Sequence, residues 1–151
     1  DFLEHGAAVF EASPVGSLVL TGLGDRARDA AARIELAQLR TLYAFLRESI
    51  FFKPDTFSAE HLRTPDQLLT EIIENGRTSA DCDDVATLAA ALLRAMGFQA
   101  KIALVSRSRN MTWEHVHPVA VFAGRMIPMD PQENTPLGEW TAGNRRAVFD
   151  A

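Results

Sequence analysis

A change of hydrophobic period at Gly97 constrains this chain more than any other feature of its sequence. Before it, apolar residues recur at helical spacing. After it they alternate, as in a half-buried strand. From Asp25 to about Ser49 the helical set is Ala27, Ala31, Ile34, Leu42, Phe45 and Leu46, and Asp25 suits the N-cap. Phe51-Phe52-Lys53-Pro54-Asp55 should end that helix, because a residue before proline is pushed out of the α region. Thr64-Pro65-Asp66-Gln67 opens a second helix with a capping threonine, a proline at the first helical position and a glutamine that reaches back. Leu68, Leu69, Ile72 and Ile73 give it one apolar face, and Gly76 closes it. A third helix runs from about Cys82 to Met96, with Val85, Leu88, Leu92, Leu93 and Met96 on one face and Gly97 as its cap.

Beyond Gly97, Phe98, Ala100, Ile102 and Leu104 alternate with Gln99, Lys101 and Ala103. A polar loop, Ser106 to Thr112, leads to two strands, 115–122 and 125–129, around a turn at Ala123-Gly124. Pro131 and Pro136 mark the exit into an irregular tail. Residues 1–24, punctuated by Pro14, Gly16, Gly22 and Gly24, read as an arm or a short strand. The expected architecture is α+β in one domain spanning 1–151: a helical part over 25–97, then an antiparallel sheet and tail over 98–151.

Composition excludes several classes of function. At 151 residues, 47% hydrophobic and 23% charged, the chain has a globular composition and enough length for a core of its own. A net charge of -5 with scattered basic residues argues against a nucleic-acid partner. No apolar run reaches the roughly 18–20 residues of a membrane span, so no membrane partner is expected. One cysteine, Cys82, rules out an internal disulfide and any zinc site with several thiolates. The given chain has no basic and apolar leader of the secretory type. Lys53 and Lys101 are the sole lysines among fifteen basic residues and alanine is abundant, a pattern of GC-rich bacterial genomes.

The chemistry concentrates in three places. Ser79-Ala80-Asp81-Cys82-Asp83-Asp84 lies where a loop enters the third helix. A thiol there meets unpaired N–H groups and the positive end of the helix dipole, both of which favour thiolate. Asp83 and Asp84 oppose that, but helical rotation points them away. A buried, inert cysteine is the commoner reading of such a residue taken alone. The partners downstream change this. His115 and His117 lie on the first strand of the hairpin and Asp130 at the end of the second, all on one face. A cysteine nucleophile needs a histidine base, and that base needs an acceptor to fix its orientation. The same groups could hold zinc with an open position. Nothing else is metal-like, and neither metal nor cofactor is expected.

Gly76 to Gly97, built around Asp81-Cys82-Asp83-Asp84 and continuing through Leu88, Leu92, Leu93 and Arg94, resembles the nucleophile helix of the transglutaminase-like superfamily. His115-Val116-His117 and Gly124-Arg125-Met126-Ile127-Pro128-Met129-Asp130-Pro131 are similar to its histidine and aspartate strands. Phe52 to Asp55, Arg63 to Leu69 and Pro136-Leu137-Gly138 extend the likeness, chiefly to bacterial and phage members, over about residues 50–138. The resemblance implies a papain-like core in which the sheet packs on the nucleophile helix. It also implies a Cys82-His115-Asp130 triad acting on a peptide or protein substrate by thiol-dependent acyl transfer, most simply amide hydrolysis. Two other readings fit the same resemblance: a transglutaminase-type crosslinker, and a non-catalytic module of a phage-type particle with phage or bacterial assembly partners. The location implied is the bacterial cytoplasm or a phage particle.

The identity of the base is open on counting alone. A two-residue loop pairs Phe122 with Arg125, which sets His117 opposite Asp130 and His115 on the diagonal. The family spacing, fifteen residues before the aspartate, selects His115 and leaves His117 as the alternative. Pro118 deletes a ladder donor and is expected only at an edge or bulge.

Overall fold

The computed structural model describes residues 14–54, 62–108, 112–133 and 135–151, with side chains described from residue 24 onward. Helix α1 spans Pro14–Ser49. The chain divides into two units, Asp1–Leu39 and Arg40–Ala151, with the boundary inside the α1 residue range. In the first unit α1 is mostly exposed from Gly24 to Gln38, including Ile34, and Asp25 pairs with Arg28 at 3.9 Å. The arm or strand expected over 1–24 is therefore corrected for 14–24, which are helical, and Asp25 lies inside the helix rather than at its cap. Pro14 fits a first turn, and Gly16, Gly22 and Gly24 each weaken a helix by about 1 kcal/mol without forbidding it. Residues 1–13 lie outside the described part.

The second unit carries all the remaining elements. The last turns of α1 bury Leu42, Tyr43 and Leu46, and the chain runs directly into strand β1, Ile50–Phe52. Helix α2, Pro65–Asn75, has the capping box read from its sequence: Thr64 Oγ1 accepts from the Gln67 N–H, and Gln67 Oε1 from the Thr64 N–H. It buries Leu68 and Ile72 but leaves Ile73 exposed. Strand β2, Thr78–Ala80, pairs in parallel with β1, Phe51 opposite Ser79. Neither three-residue strand was legible in a stretch read as helical, because each is too short to show alternation.

Helix α3, Cys82–Ala95, is capped by Asp81, whose side chain accepts from the Asp84 N–H. It ends on Gly97 at φ +88°, where the Phe98 N–H reaches the Leu93 carbonyl and the Gly97 N–H that of Arg94. Strands β3 (Gln99–Ser106), β4 (His115–Phe122), β5 (Arg125–Pro128) and β6 (Arg145–Asp150) form an antiparallel sheet ordered β5-β4-β3-β6. Helix α3 packs against β3 and β4. Strand β6 lies in the segment expected to be an irregular tail. Its sequence opens with two arginines and leaves Phe149 exposed, so it carries no clean period-two signal.

The alternation of β3 is also reassigned. Ala103 and Val105 are fully buried, whereas Ile102 and Leu104 are half-buried. Gly143 lies close against the Val105 side chain. Pro118 sits inside β4 with no bulge against β3, since the pairing from Gln99↔Val121 to Val105↔His115 is unbroken. A strand residue points its N and O to the same neighbour. The Pro118 carbonyl accepts from the Met129 N–H on the β5 side, at the end of that ladder, so the missing donor costs nothing toward β3.

Candidate active site

The hairpin turn is the two-residue one expected, with Ala123 and Gly124 both at positive φ and Phe122 opposite Arg125. The ladder stops at Val119↔Pro128. The Met129 N–H adds one further bond to the Pro118 carbonyl, and the Asp130 carboxylate then meets His115 rather than His117. His115 Nε2 lies 2.7 Å from Asp130 Oδ2, with both side chains buried. Cys82 and His115 line the same cleft. Cys82 is the first residue of α3, half-exposed and not in a disulfide. Burial pushes the His115 imidazolium down, but the hydrogen bonds and charges of Asp130 and Cys82 outweigh it and raise the group to about 9. The protonated ring is therefore favoured.

Asp130 is 1% exposed and well satisfied. Besides His115 it takes the Thr141 hydroxyl on Oδ2 and the Glu133 N–H on Oδ1 at 3.3 Å. Burial raises its carboxyl, and the donors from His115 and Thr141 reverse this and hold it below the usual range. Its backbone carbonyl meets the Tyr43 hydroxyl at 3.0 Å, and that hydroxyl also touches the Thr135 carbonyl. Gly138, at φ +92°, donates its N–H to the Pro128 carbonyl at 2.9 Å. Gly143 packs so closely on β3 that an added Cβ would lie 2.4 Å from Val105 Cγ1 and 3.1 Å from the Ser106 carbonyl. Thr141 and Tyr43 escaped the sequence reading. One lies in a segment without periodic pattern, the other reads as an ordinary core aromatic, and no local motif ties either to Asp130.

Cys82 opens on a cleft of about 270 Å3 lined by Asp81, Asp83, Leu104, Trp113, Glu114, His115 and Val116. Trp113 is 39% exposed, and the Arg145 guanidinium stacks on its ring at 4.8 Å. Asp84 turns the other way. It is buried and clamped by Arg63, which donates its backbone N–H (2.8 Å), Nε (3.1 Å) and Nη2 (2.9 Å) to the carboxylate. That anchor ties the first turn of α3 to the segment before α2 and was also missed. Asp81 stays partly open. Burial, then the neighbouring Asp83, lifts its carboxyl to about 7. Oxygens of Asp81, Asp83 and Asp84 lie within 4.8 Å of one another and are the described carboxylates that could share a cation. Arg63 already neutralises the buried one of the three.

His117 is buried on the same strand face, away from the thiol's cleft. Its Nδ1 donates to the Pro118 carbonyl at 3.1 Å, and its ring stands 6.1 Å from that of His115 and edge-on to Trp140 at 5.9 Å. The structure thus brings Cys82, His115 and Asp130 together and leaves His117 outside the chain of contacts.

The model of the transglutaminase-like superfamily matches residues 25–131, which include all three of those side chains. The chain belongs to the transglutaminase-like superfamily. No curated protein matches it. Among solved structures, this transglutaminase-like chain resembles a candidate cysteine protease from Cytophaga hutchinsonii, at 17% identity and a TM-score of 0.51 over 77% of this chain and 41% of that one. Calcium-bound LapG from Legionella pneumophila follows at 20% identity and a TM-score of 0.47, over 64% and 54%. The transglutaminase-like chain thus spans about two fifths and about half of those two proteins. The first likeness is one of fold: a papain/transglutaminase-like arrangement of a helix against an antiparallel sheet, as the sequence implied. Among the described residues no helix is long and apolar enough to cross a membrane.

Proposed function

We propose that this chain is a thiol-dependent hydrolase of peptide or amide bonds, with Cys82 as nucleophile, His115 as acid and base, and Asp130 as the group that orients His115. The observation that carries the proposal is that His115, bonded to Asp130 Oδ2 at 2.7 Å, lines the same cleft as Cys82. In the first step the sulfur attacks the carbonyl carbon and its proton resides on His115. His115 then passes that proton to the leaving amine as the C–N bond breaks, which leaves a thioester on Cys82. Water, deprotonated by the same imidazole, attacks the thioester, releasing the acid and regenerating the thiol. The Cys82 N–H, at the first position of α3, has no intrahelical partner and is the donor offered to the developing oxyanion.

An electrophilic thiol probe, followed by peptide-library digestion read by mass spectrometry, tests the assignment. Wild-type protein should be labelled at Cys82 and should cleave amide bonds, and Cys82→Ala should do neither while melting within a few degrees of wild type. Cleavage that survives in Cys82→Ala would refute the nucleophile. Adding a primary amine during digestion separates hydrolysis from crosslinking, since a crosslinker would incorporate the amine into the acyl fragment.

A further inference from the structure

His117 is a buried titratable group that the proposed reaction does not use. It is 1% exposed, and its Nε2 is buried without a hydrogen-bond partner. With Nδ1 donating to the Pro118 carbonyl, the neutral ring keeps a bare lone pair on Nε2. A proton there would create a buried cation with no acceptor in reach. Ala103 opposes it on β3, Trp140 meets it edge-on, and the charged groups that act on it are His115 on β4, Arg146 on β6 and Asp130 beyond β5. Two of these repel a positive His117. Arg146 is fixed in place, stacked on Trp140 at 4.3 Å and bonded to the Thr141 carbonyl at 2.7 Å. The third, Asp130, attracts it but already holds His115, Thr141 and the Glu133 N–H. For Nε2 to bond that carboxylate, the carboxylate would have to turn from its present donors.

We propose that His117 is an acid switch for this site: neutral, it leaves Asp130 to His115, and protonated, it draws Asp130 away and turns the thiol chemistry off. The switch deepens the hydrolase reading and rests on the same three residues. Burial, followed by the charges of His115 and Arg146 working against the pull of Asp130 and the Pro118 carbonyl, keeps His117 below its ordinary value. The neutral ring is thereby favoured.

The test follows Cys82 alkylation by iodoacetamide from pH 4 to 9 in wild type, His117→Phe and His117→Gln, alongside NMR titration of the histidine ring carbons in wild type. In wild type, His117 should titrate below about 6.5, the unperturbed value, and the His115 signals should shift with the same midpoint. Alkylation should fall there by at least about fivefold beyond the loss a simple thiol shows. Both replacements should keep the neutral-pH rate within about twofold and move the acid fall at least one pH unit lower. An acid fall unchanged in both variants, a collapse of their neutral-pH rate, or a His117 titration that leaves His115 unmoved would overturn the switch. If neither variant folds, the coupling of the two titrations in wild type decides. Failure of the hydrolase reading looks different: Cys82 would then alkylate like a free thiol at every pH and would ignore His115→Ala.

Discussion

Asp130 bonds His115 and Asp81 caps the helix that begins at Cys82, and the surroundings of the two could hardly differ more. Asp130 is sealed, with donors from His115, Thr141 and Glu133 on its oxygens and Tyr43 against its carbonyl. Asp81 is half-open beside Asp83 and Glu114, and its carboxyl is lifted to about 7. The sealed side spends buried hydrogen bonds on holding one imidazole in one orientation. The open side leaves a cleft where a substrate would enter, beside a carboxylate that the Asp84 N–H only partly offsets. Orientation belongs to the strands and access to the helix start.

If that division is right, damage to the sealed side should be far more costly. The largest effect is expected from Asp130→Asn, which keeps the shape but removes the charge and offers His115 the wrong partner. Amide hydrolysis should fall by about 10²–10³-fold, and chemical denaturation should find a loss of about 3 kcal/mol, as for one partner of a buried pair. Activity within twofold of wild type would erase the distinction between the sides. Thr141→Val removes one donor from Oδ2 while keeping volume. A loss of about 1 kcal/mol, or some fivefold in kcat/KM, is expected, with recovery in Thr141→Ser.

A pH series sharpens the comparison through stability. His115 is raised in the fold from 6.5 to about 9, so the stability it contributes is fully present below 6.5 and is lost as pH rises toward 9. The melting temperature should decline over that window, and His115→Gln should flatten the decline. The smallest effect belongs to the open side. Asn still caps a helix, and Asp81→Asn removes a carboxylate that the fold disfavours when charged. It should raise the melting temperature slightly at pH 8 and leave it unchanged near pH 4, where Asp81 is protonated in the folded state. A clear loss at pH 8 would mean that the open-side carboxylate is held by a contact as firm as those of Asp130.

Helices α2 and α3 were legible because each announces itself locally: a capping box at Thr64, an apolar stripe, a glycine at each end. The positions of Cys82, His115 and Asp130 were legible because a helix start and a two-residue hairpin fix geometry over short stretches. Counting along the hairpin nevertheless pointed to His117 opposite Asp130, because it assumed that the pleat continues past Pro128. Asp130 instead bonds His115, the diagonal neighbour on the same face. The supports from Thr141, Tyr43 and Arg63 join residues 11 to 87 positions apart without periodic pattern, and only the folded chain brings them together. Strand β6 stayed hidden for a related reason, since its pairing with β3 supplies what its composition lacks.

The close approach of Gly143 to Val105 also bears on which variants of this protein can persist. One base change turns any glycine codon into an alanine codon, so this replacement arises by mutation as readily as almost any other. Here it drives a methyl group into a fully buried valine and a strand carbonyl, neither of which can step aside. The segment that must yield holds Thr141 two residues upstream and begins β6 two residues downstream. In a library covering every single substitution, position 143 should be as intolerant as Cys82 itself, though it supplies no side chain to the chemistry. Exposed Met126 and Phe149 should accept almost anything. Such a map would mark as indispensable a residue that contributes to the site only the space it leaves empty.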